Sequence, residues 1–224
     1  MIVVIDYGAG NLRNVCKALE YVGGNITLTD DVREIERADK VVVPGVGAFA
    51  DCQMGLKSRG LWAPVKDIAH RGTPVLGICV GMQLLFDVGL EMGEWEGLGL
   101  IPGKIIRFDF NRQSSIVNHQ LKVPHIGWNQ LTVRQPEHPL LRGVQSGGYA
   151  YFVHSYHADG VHSDHVLATT DYGYDFPAVV GRDNVWGIQF HPEKSQDVGL
   201  QMLKNFVLFT ISDFRFTIEA ARQS

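Results

Sequence analysis

One stretch limits this chain more than any other: Pro74-Val75-Leu76-Gly77-Ile78-Cys79-Val80-Gly81-Met82-Gln83. Its apolar part reads as a strand buried on both faces, and Gly-x-Cys-x-Gly reads as a sharp turn from strand into helix. That is the nucleophile-elbow pattern with sulfur in place of the serine oxygen. The glycines on either side of Cys79 fit a turn that leaves no room for side chains beside the nucleophile. The turn also puts the thiol at a helix N-terminus, where free N–H groups and the helix dipole favour the thiolate.

A strand of this kind belongs in a parallel sheet, and the order of elements agrees. Strands are predicted over residues 2–6, 26–28, 40–43 and 75–78, with helices from about Asn11 and around Phe49 between them. Strand, helix, strand in sequence implies right-handed crossovers and helices on both faces of the sheet. From about Leu98 the pattern shifts to shorter strand-like runs at 104–110, 149–156, 165–170, 178–181 and 185–190. These predict hairpins packed onto the same sheet. A last helix is predicted over 197–209, and residues 210–224 receive no assignment. The fold class is therefore α/β, a mostly parallel central sheet with helices on both faces and added antiparallel strands in the C-terminal half. Residues 1–209 form the expected single domain.

Composition removes several classes of function. A net charge of −4 and the absence of any Lys/Arg-rich stretch leave no electrostatic footprint for nucleic acid. The run Met1-Ile2-Val3-Val4-Ile5 is closed by Asp6 and lacks a basic flank or cleavage site, so it reads as a strand, not a signal peptide. No apolar stretch is long enough to span a membrane. Cys16, Cys52 and Cys79 cannot all pair within the chain, and none has the spacing of a zinc site, so a reducing cytoplasm is the expected location. Gly8-Ala9-Gly10 lacks the third glycine of a dinucleotide fingerprint, and no P-loop occurs. His154, His157, His162 and His165 read as scattered surface histidines, not a metal site. Neither a metal nor a cofactor is expected, and the chain is read as performing one simple hydrolytic step.

In open parallel sheets, ligands collect at the carboxyl ends of the strands. Four segments fall there: 6–11 after the first strand, Pro44-Gly45-Val46-Gly47 after the third, Cys79, and His191-Pro192-Glu193 after the run at 185–190. A thiol nucleophile needs a base, and the base needs an orienting group. His191 and Glu193 stand two apart in what reads as an extended segment, so their side chains leave on the same side. Pro192 keeps His191 out of the helical region. Glu193 would accept the Nδ1 proton and leave Nε2 facing sulfur. For an oxyanion, donors are expected from the N–H of Val80 and from the backbone of Val46 and Gly47. Taken alone, His191 is a packing residue and Glu193 a cap for the last helix.

Gly77-Ile78-Cys79-Val80-Gly81-Met82-Gln83-Leu84-Leu85 together with Gln189-Phe190-His191-Pro192-Glu193 resembles the class I, triad-type glutamine amidotransferases, a family with a flavodoxin-like sheet. Within that family, Pro44-Gly45-Val46-Gly47, Pro124-His125-Ile126-Gly127-Trp128-Asn129 and Tyr151-Phe152-Val153-His154-Ser155-Tyr156 resemble the glutaminase subunits of imidazole glycerol phosphate synthases of histidine biosynthesis. Subunits serving anthranilate, GMP or carbamoyl phosphate synthesis carry Pro-Gly-Gly in place of Pro44-Gly45-Val46-Gly47. The resemblance implies that Cys79 attacks the glutamine carboxamide, that His191 passes a proton to departing ammonia, and that water clears a glutamyl thioester. It assigns the glutamine head group to Gln83, Glu91 and the backbone of His154, Ser155 and Tyr156. Without the resemblance, Gln83 and Glu91 read as helix-surface residues.

The resemblance also implies a partner, because nothing in the chain reads as a site for an ammonia acceptor. In the family the acceptor is a (β/α)8-barrel cyclase subunit, forming a heterodimer. Asn11, Trp128 and Lys194 match positions near that interface; on their own they read as a helix N-cap, a core aromatic and a solvated lysine. Such glutaminases are nearly idle without the liganded partner, which implies that the Gly45–Val46 peptide rotates to complete the oxyanion hole. Residues 108–121 and the tail beyond 209 exceed a minimal family member. Three other readings stand beside this one: a paralogue feeding ammonia to a sugar amidotransferase of surface-polysaccharide synthesis, a catalytically silent scaffold, and a free-standing amidase.

Overall fold

The computed structural model describes residues 1–110 and 121–210. The expectations for the segment around 111–120 and for the tail from 211 onward lie outside the described residues. The order of elements is β1 (Ile2–Ile5), α1 (Leu12–Tyr21), β2 (Ile26–Thr29), α2 (Val32–Glu36), β3 (Lys40–Val43), α3 (Phe49–Ser58), α4 (Trp62–His70), β4 (Val75–Ile78) and α5 (Val80–Gln83). There follow β5 (Val88–Gly89), β6 (Trp95–Glu96), β7 (Lys104–Arg107), β8 (His125–Gln130), β9 (Thr132–Val133), β10 (Tyr149–His154), β11 (Tyr156–Asp159), β12 (Val166–Asp171), β13 (Asp175–Arg182), β14 (Val185–Ile188) and α6 (Gln196–Leu208).

An eight-stranded sheet runs in the order β2-β1-β3-β4-β14-β13-β12-β9. The first five of these strands are mutually parallel and the last three add antiparallel, so the α/β class read from the sequence holds. β1, β4 and β14 are buried along their whole length, and β3 is buried at Val41, Val42 and Val43. Burial on both faces explains why these strands are continuous apolar runs without alternation. β2 lies at the edge, is only half-buried, and carries threonine at two of its four positions.

The structure corrects the sequence reading in the C-terminal half. Only β9, β12, β13 and β14 join the main sheet. β8 and β10 pair antiparallel as a separate two-stranded sheet, and β11-β7-β5-β6 form a third. The physical reason lies in the residues. β8 alternates buried and exposed along its length, as does much of β10, so these strands cover a core on one face and show the other to solvent. The predicted run at 149–156 is two strands, broken at Ser155. α2, α4 and β8 were not predicted. Gly60 and Pro64 make the start of α4 look like a loop, although proline is tolerated in a first turn. The polar, glycine-containing β8 gives no strand signal.

Candidate active site

The expected elbow is sharply bent. Cys79 has φ 55° and ψ −115°, a left-handed backbone that a non-glycine residue adopts only under constraint. The constraint is close packing of backbone on backbone. A Cβ at Gly81 would lie 1.8 Å from the carbonyl oxygen of Val43, and one at Gly77 would lie 2.6 Å from that of Gly81. The turn after β4 therefore packs through bare backbone against the end of β3 and against Gly77, and the Cys79 N–H is tied to the Ile188 carbonyl of β14 at 2.8 Å. The helix that follows is a single turn, Val80–Gln83.

His191 reaches the same place from the end of β14. Its Nδ1–H donates to Glu193 Oε1 at 2.9 Å, and both side chains are buried. The sequence reading placed Glu193 on an extended segment. Residues Pro192–Lys194 instead form a 3-10 turn, and only His191, at φ −93° and ψ 97°, is extended. The turn swings Glu193 back under the imidazole. Ser195 holds this arrangement: its hydroxyl donates to the His191 carbonyl at 2.7 Å and accepts from the Tyr151 N–H at 2.9 Å. Sequence reasoning did not single out Ser195, since its role exists only once the 192–194 turn has formed. Burial would by itself lower the His191 pKa. The Cys79 and Glu193 side chains outweigh that effect, through hydrogen bonds and charge, and raise it to about 10.

A cleft of about 320 Å³ opens over these groups, and its walls include Val46, Gly47, Cys79, Val80, Gln83, Glu91, His154, Ser155, Tyr156 and His191. Thus the residues expected around the thiol converge, while Glu193 stands behind His191. Gln83 is buried, not on a helix surface. Its Nε2 donates to the Tyr156 carbonyl and to Gln189 Oε1, each at 3.1 Å. Glu91 is not on a helix either. Its Oε2 accepts from the Phe49 N–H at 2.7 Å, so a carboxylate on the cleft wall also satisfies a donor of the first turn of α3.

His154 and His157 are buried, contrary to the surface reading. His154 Nδ1 donates to the Tyr156 carbonyl at 2.8 Å, its Nε2 lies 3.1 Å from His125 Nδ1, and Asn129 meets His125 Nε2 at 3.3 Å. Burial lowers His154 to about 3 and His125 to about 4, so both rings are neutral near pH 7. Among the described residues no group of three or more His, Cys, Asp or Glu could hold a metal, and no helix is long and apolar enough to cross a membrane.

One of the expected oxyanion donors is already engaged. The Val80 N–H donates to the Gly45 carbonyl at 3.4 Å. Trp128 is not a core residue. It is 47% exposed on β8, edge-on to Tyr151 at 5.9 Å, and Lys194 Nζ lies 5.7 Å from the centre of the Tyr151 ring. Asn11 occupies the N-cap position of α1, but its side chain makes no capping bond. α1 packs against the 192–194 turn, which puts Asn11 on the element beside Lys194.

With this geometry in view, comparison with known proteins is decisive. The model of the family "Glutamine amidotransferase class-I" matches residues 3–209. The chain belongs to the class I glutamine amidotransferases. This amidotransferase is 50% identical over 206 residues to the imidazole glycerol phosphate synthase subunit HisH of Salinibacter ruber, covering 92% of this chain and 93% of that one. It is 50% identical over 208 residues to the protein of the same name from Syntrophotalea carbinolica, covering 92% and 98%. In fold, the amidotransferase resembles a solved structure titled "Crystal structure of glutamine amidotransferase", with a TM-score of 0.69 at 21% identity over 92% of this chain and 99% of that one. It also resembles PurLQS from Thermotoga maritima, with a TM-score of 0.69 at 18% identity over 92% and 96%.

Proposed function

We propose that the chain is the glutaminase subunit of an imidazole glycerol phosphate synthase, that it works in the cytoplasm, and that residues 1–209 carry the activity. The observation that carries this reading is the meeting of Cys79, on a strained elbow, with a His191 held by Glu193 at one wall of the cleft. The names of the relatives point to the synthase. Glutamine lies with its head group on Gln83, Glu91 and the backbone of His154, Ser155 and Tyr156. The Cys79 sulfur, its proton passed to His191, bonds to the carboxamide carbon, and the carbonyl oxygen takes the charge. His191 Nε2 delivers a proton to the amide nitrogen as the C–N bond breaks and ammonia leaves. Water, giving its proton to His191, then adds to the glutamyl thioester, and glutamate departs as the thiol is restored.

In this reading the cleft is at rest until the Gly45–Val46 peptide turns over. Its carbonyl then leaves the Val80 N–H, and the N–H of Val46 joins Val80 as an oxyanion donor. Ammonia passes to a (β/α)8-barrel cyclase docked over Asn11, Trp128 and Lys194, which uses it to make imidazole glycerol phosphate and AICAR. The exposed apolar side chains of Val46, Ile126, Trp128, Tyr149 and Val153 support a partner on this side. Glutamate release should be measured for the chain alone and with the cyclase and a phosphoribosyl-nucleotide ligand. Large stimulation that vanishes in Cys79→Ala supports the reading. Equal turnover with and without the partner points to a free-standing amidase, and no turnover in either condition points to another synthase or a scaffold.

A further inference from the structure

Three successive carbonyls of the 44–46 segment meet three different donors. The Pro44 carbonyl accepts from the Tyr7 hydroxyl. The Gly45 carbonyl accepts from the Val80 N–H at a long 3.4 Å. The Val46 carbonyl accepts from the Cys52 thiol at 3.5 Å. Tyr7 follows β1 and Cys52 lies on α3, and both side chains are buried. The two side chains lie beside one another beneath the segment. Gly55, one turn along α3 from Cys52, allows this approach, since a Cβ there would lie 2.9 Å from the Tyr7 ring. Burial raises the Cys52 thiol to about 11 and holds the Tyr7 hydroxyl well above its ordinary value, so both keep their protons throughout the neutral range.

The bonds divide the segment unevenly. The peptides on either side of Gly45–Val46 are each fixed through their carbonyl to a buried side chain, whereas the peptide between them has one long bond. A peptide turns over by opposite changes at its two flanking torsions, which needs its neighbours held still. We propose that Tyr7 and Cys52 are positioning residues that pin the Pro44 and Val46 carbonyls, so that the Gly45–Val46 peptide alone switches between a carbonyl-in and an N–H-in arrangement. The inference rests on the proposed glutaminase function and adds the device that makes its oxyanion hole two-position. Pinning sharpens both positions. The idle one keeps its carbonyl against Val80, and the active one keeps its N–H aimed at the oxyanion.

The test is the ratio of stimulated to basal kcat, with the cyclase and a phosphoribosyl-nucleotide ligand as the stimulus. Tyr7→Phe removes only a hydroxyl and Cys52→Ala only a sulfur. Each should lower the ratio about tenfold, with basal turnover rising and stimulated turnover falling, while KM for glutamine stays within about twofold; a pin that merely holds the fold would lower both rates together. Cys52→Ser, which keeps a donor, should retain most of the ratio. An unchanged ratio in both Tyr7→Phe and Cys52→Ala, or a Cys52→Ser variant no better than the alanine, overturns the pinning. Absence of glutaminase activity in the unaltered chain would instead strike the proposed function itself, so the two failures are distinguishable.

Discussion

Two loops lie side by side at the carboxyl ends of β3 and β4, and they are built on opposite principles. The Cys79 loop is immobile by construction. Gly77, Gly81 and the end of β3 fill the same space with bare backbone, and the strained φ of Cys79 is held by that packing. The Pro44–Gly47 loop faces open space at Gly47, where an added Cβ would meet nothing within 4 Å, and its central peptide has one long bond. The difference teaches where such a site places order and where it places freedom. The proposed nucleophile is fixed in advance, so little reorganisation is needed at attack. The proposed oxyanion donor is left switchable, so turnover can be made to wait.

The largest effect expected is chemical. Cys79→Ala should reduce glutamate release by about 10⁴-fold or more, read in a coupled glutamate assay, with the fold intact by circular dichroism. If substantial activity survived, the fixed loop would not be the reacting one.

Next comes one substitution made in both loops. Gly81→Ala puts a Cβ 1.8 Å from the Val43 carbonyl oxygen and should destabilise by about 4 kcal/mol or more in urea unfolding. Gly47→Ala has room but must hold φ +92°, and should cost about 1–2 kcal/mol. Equal costs at the two positions would erase the contrast between the loops.

Glu193→Gln keeps the shape behind His191 and removes the charge. It should lower kcat about 10²-fold and bring the His191 ring titration, followed by NMR, down from about 10. A midpoint unmoved by the substitution would mean that Glu193 orients the ring without charging it.

The smallest effect concerns the wall that backs the cleft. The His154 pKa is depressed to about 3, so below about 6.5 the unfolded chain binds a proton that the folded chain refuses. Stability from this group is therefore present above pH 6.5 and lost as pH falls toward 3, by about 1.4 kcal/mol per pH unit for one such histidine. Urea midpoints at pH 7 and pH 5 should show the loss, and His154→Asn should lessen it without abolishing it, since burial lowers His125 and His138 as well.

Much of this architecture was legible in the residues. The buried strands declared themselves as unbroken apolar runs, so β3 and β4 were read to the residue. The glycines around Cys79 announced the elbow, and the order of strands and helices announced the parallel sheet. Local pattern could say this because burial on both faces and tight turns each demand particular side chains at particular positions.

Other features had no local signature. β8 reads as a polar loop because half of it faces solvent, and its partner β10 lies about twenty residues away in sequence. Glu193 meets His191 through a 3-10 turn clamped by Ser195, not through an extended segment. Gln83 and Glu91 looked like surface residues because nothing nearby in sequence satisfies them; their partners are Tyr156, Gln189 and Phe49. The sequence by itself determined which residues must be buried and where the chain must turn. Which of those turns meet around one cleft, and which donor faces which carbonyl, was decided only in the tertiary structure, because hydrogen bonds are short and directional and pair groups that the chain order keeps far apart.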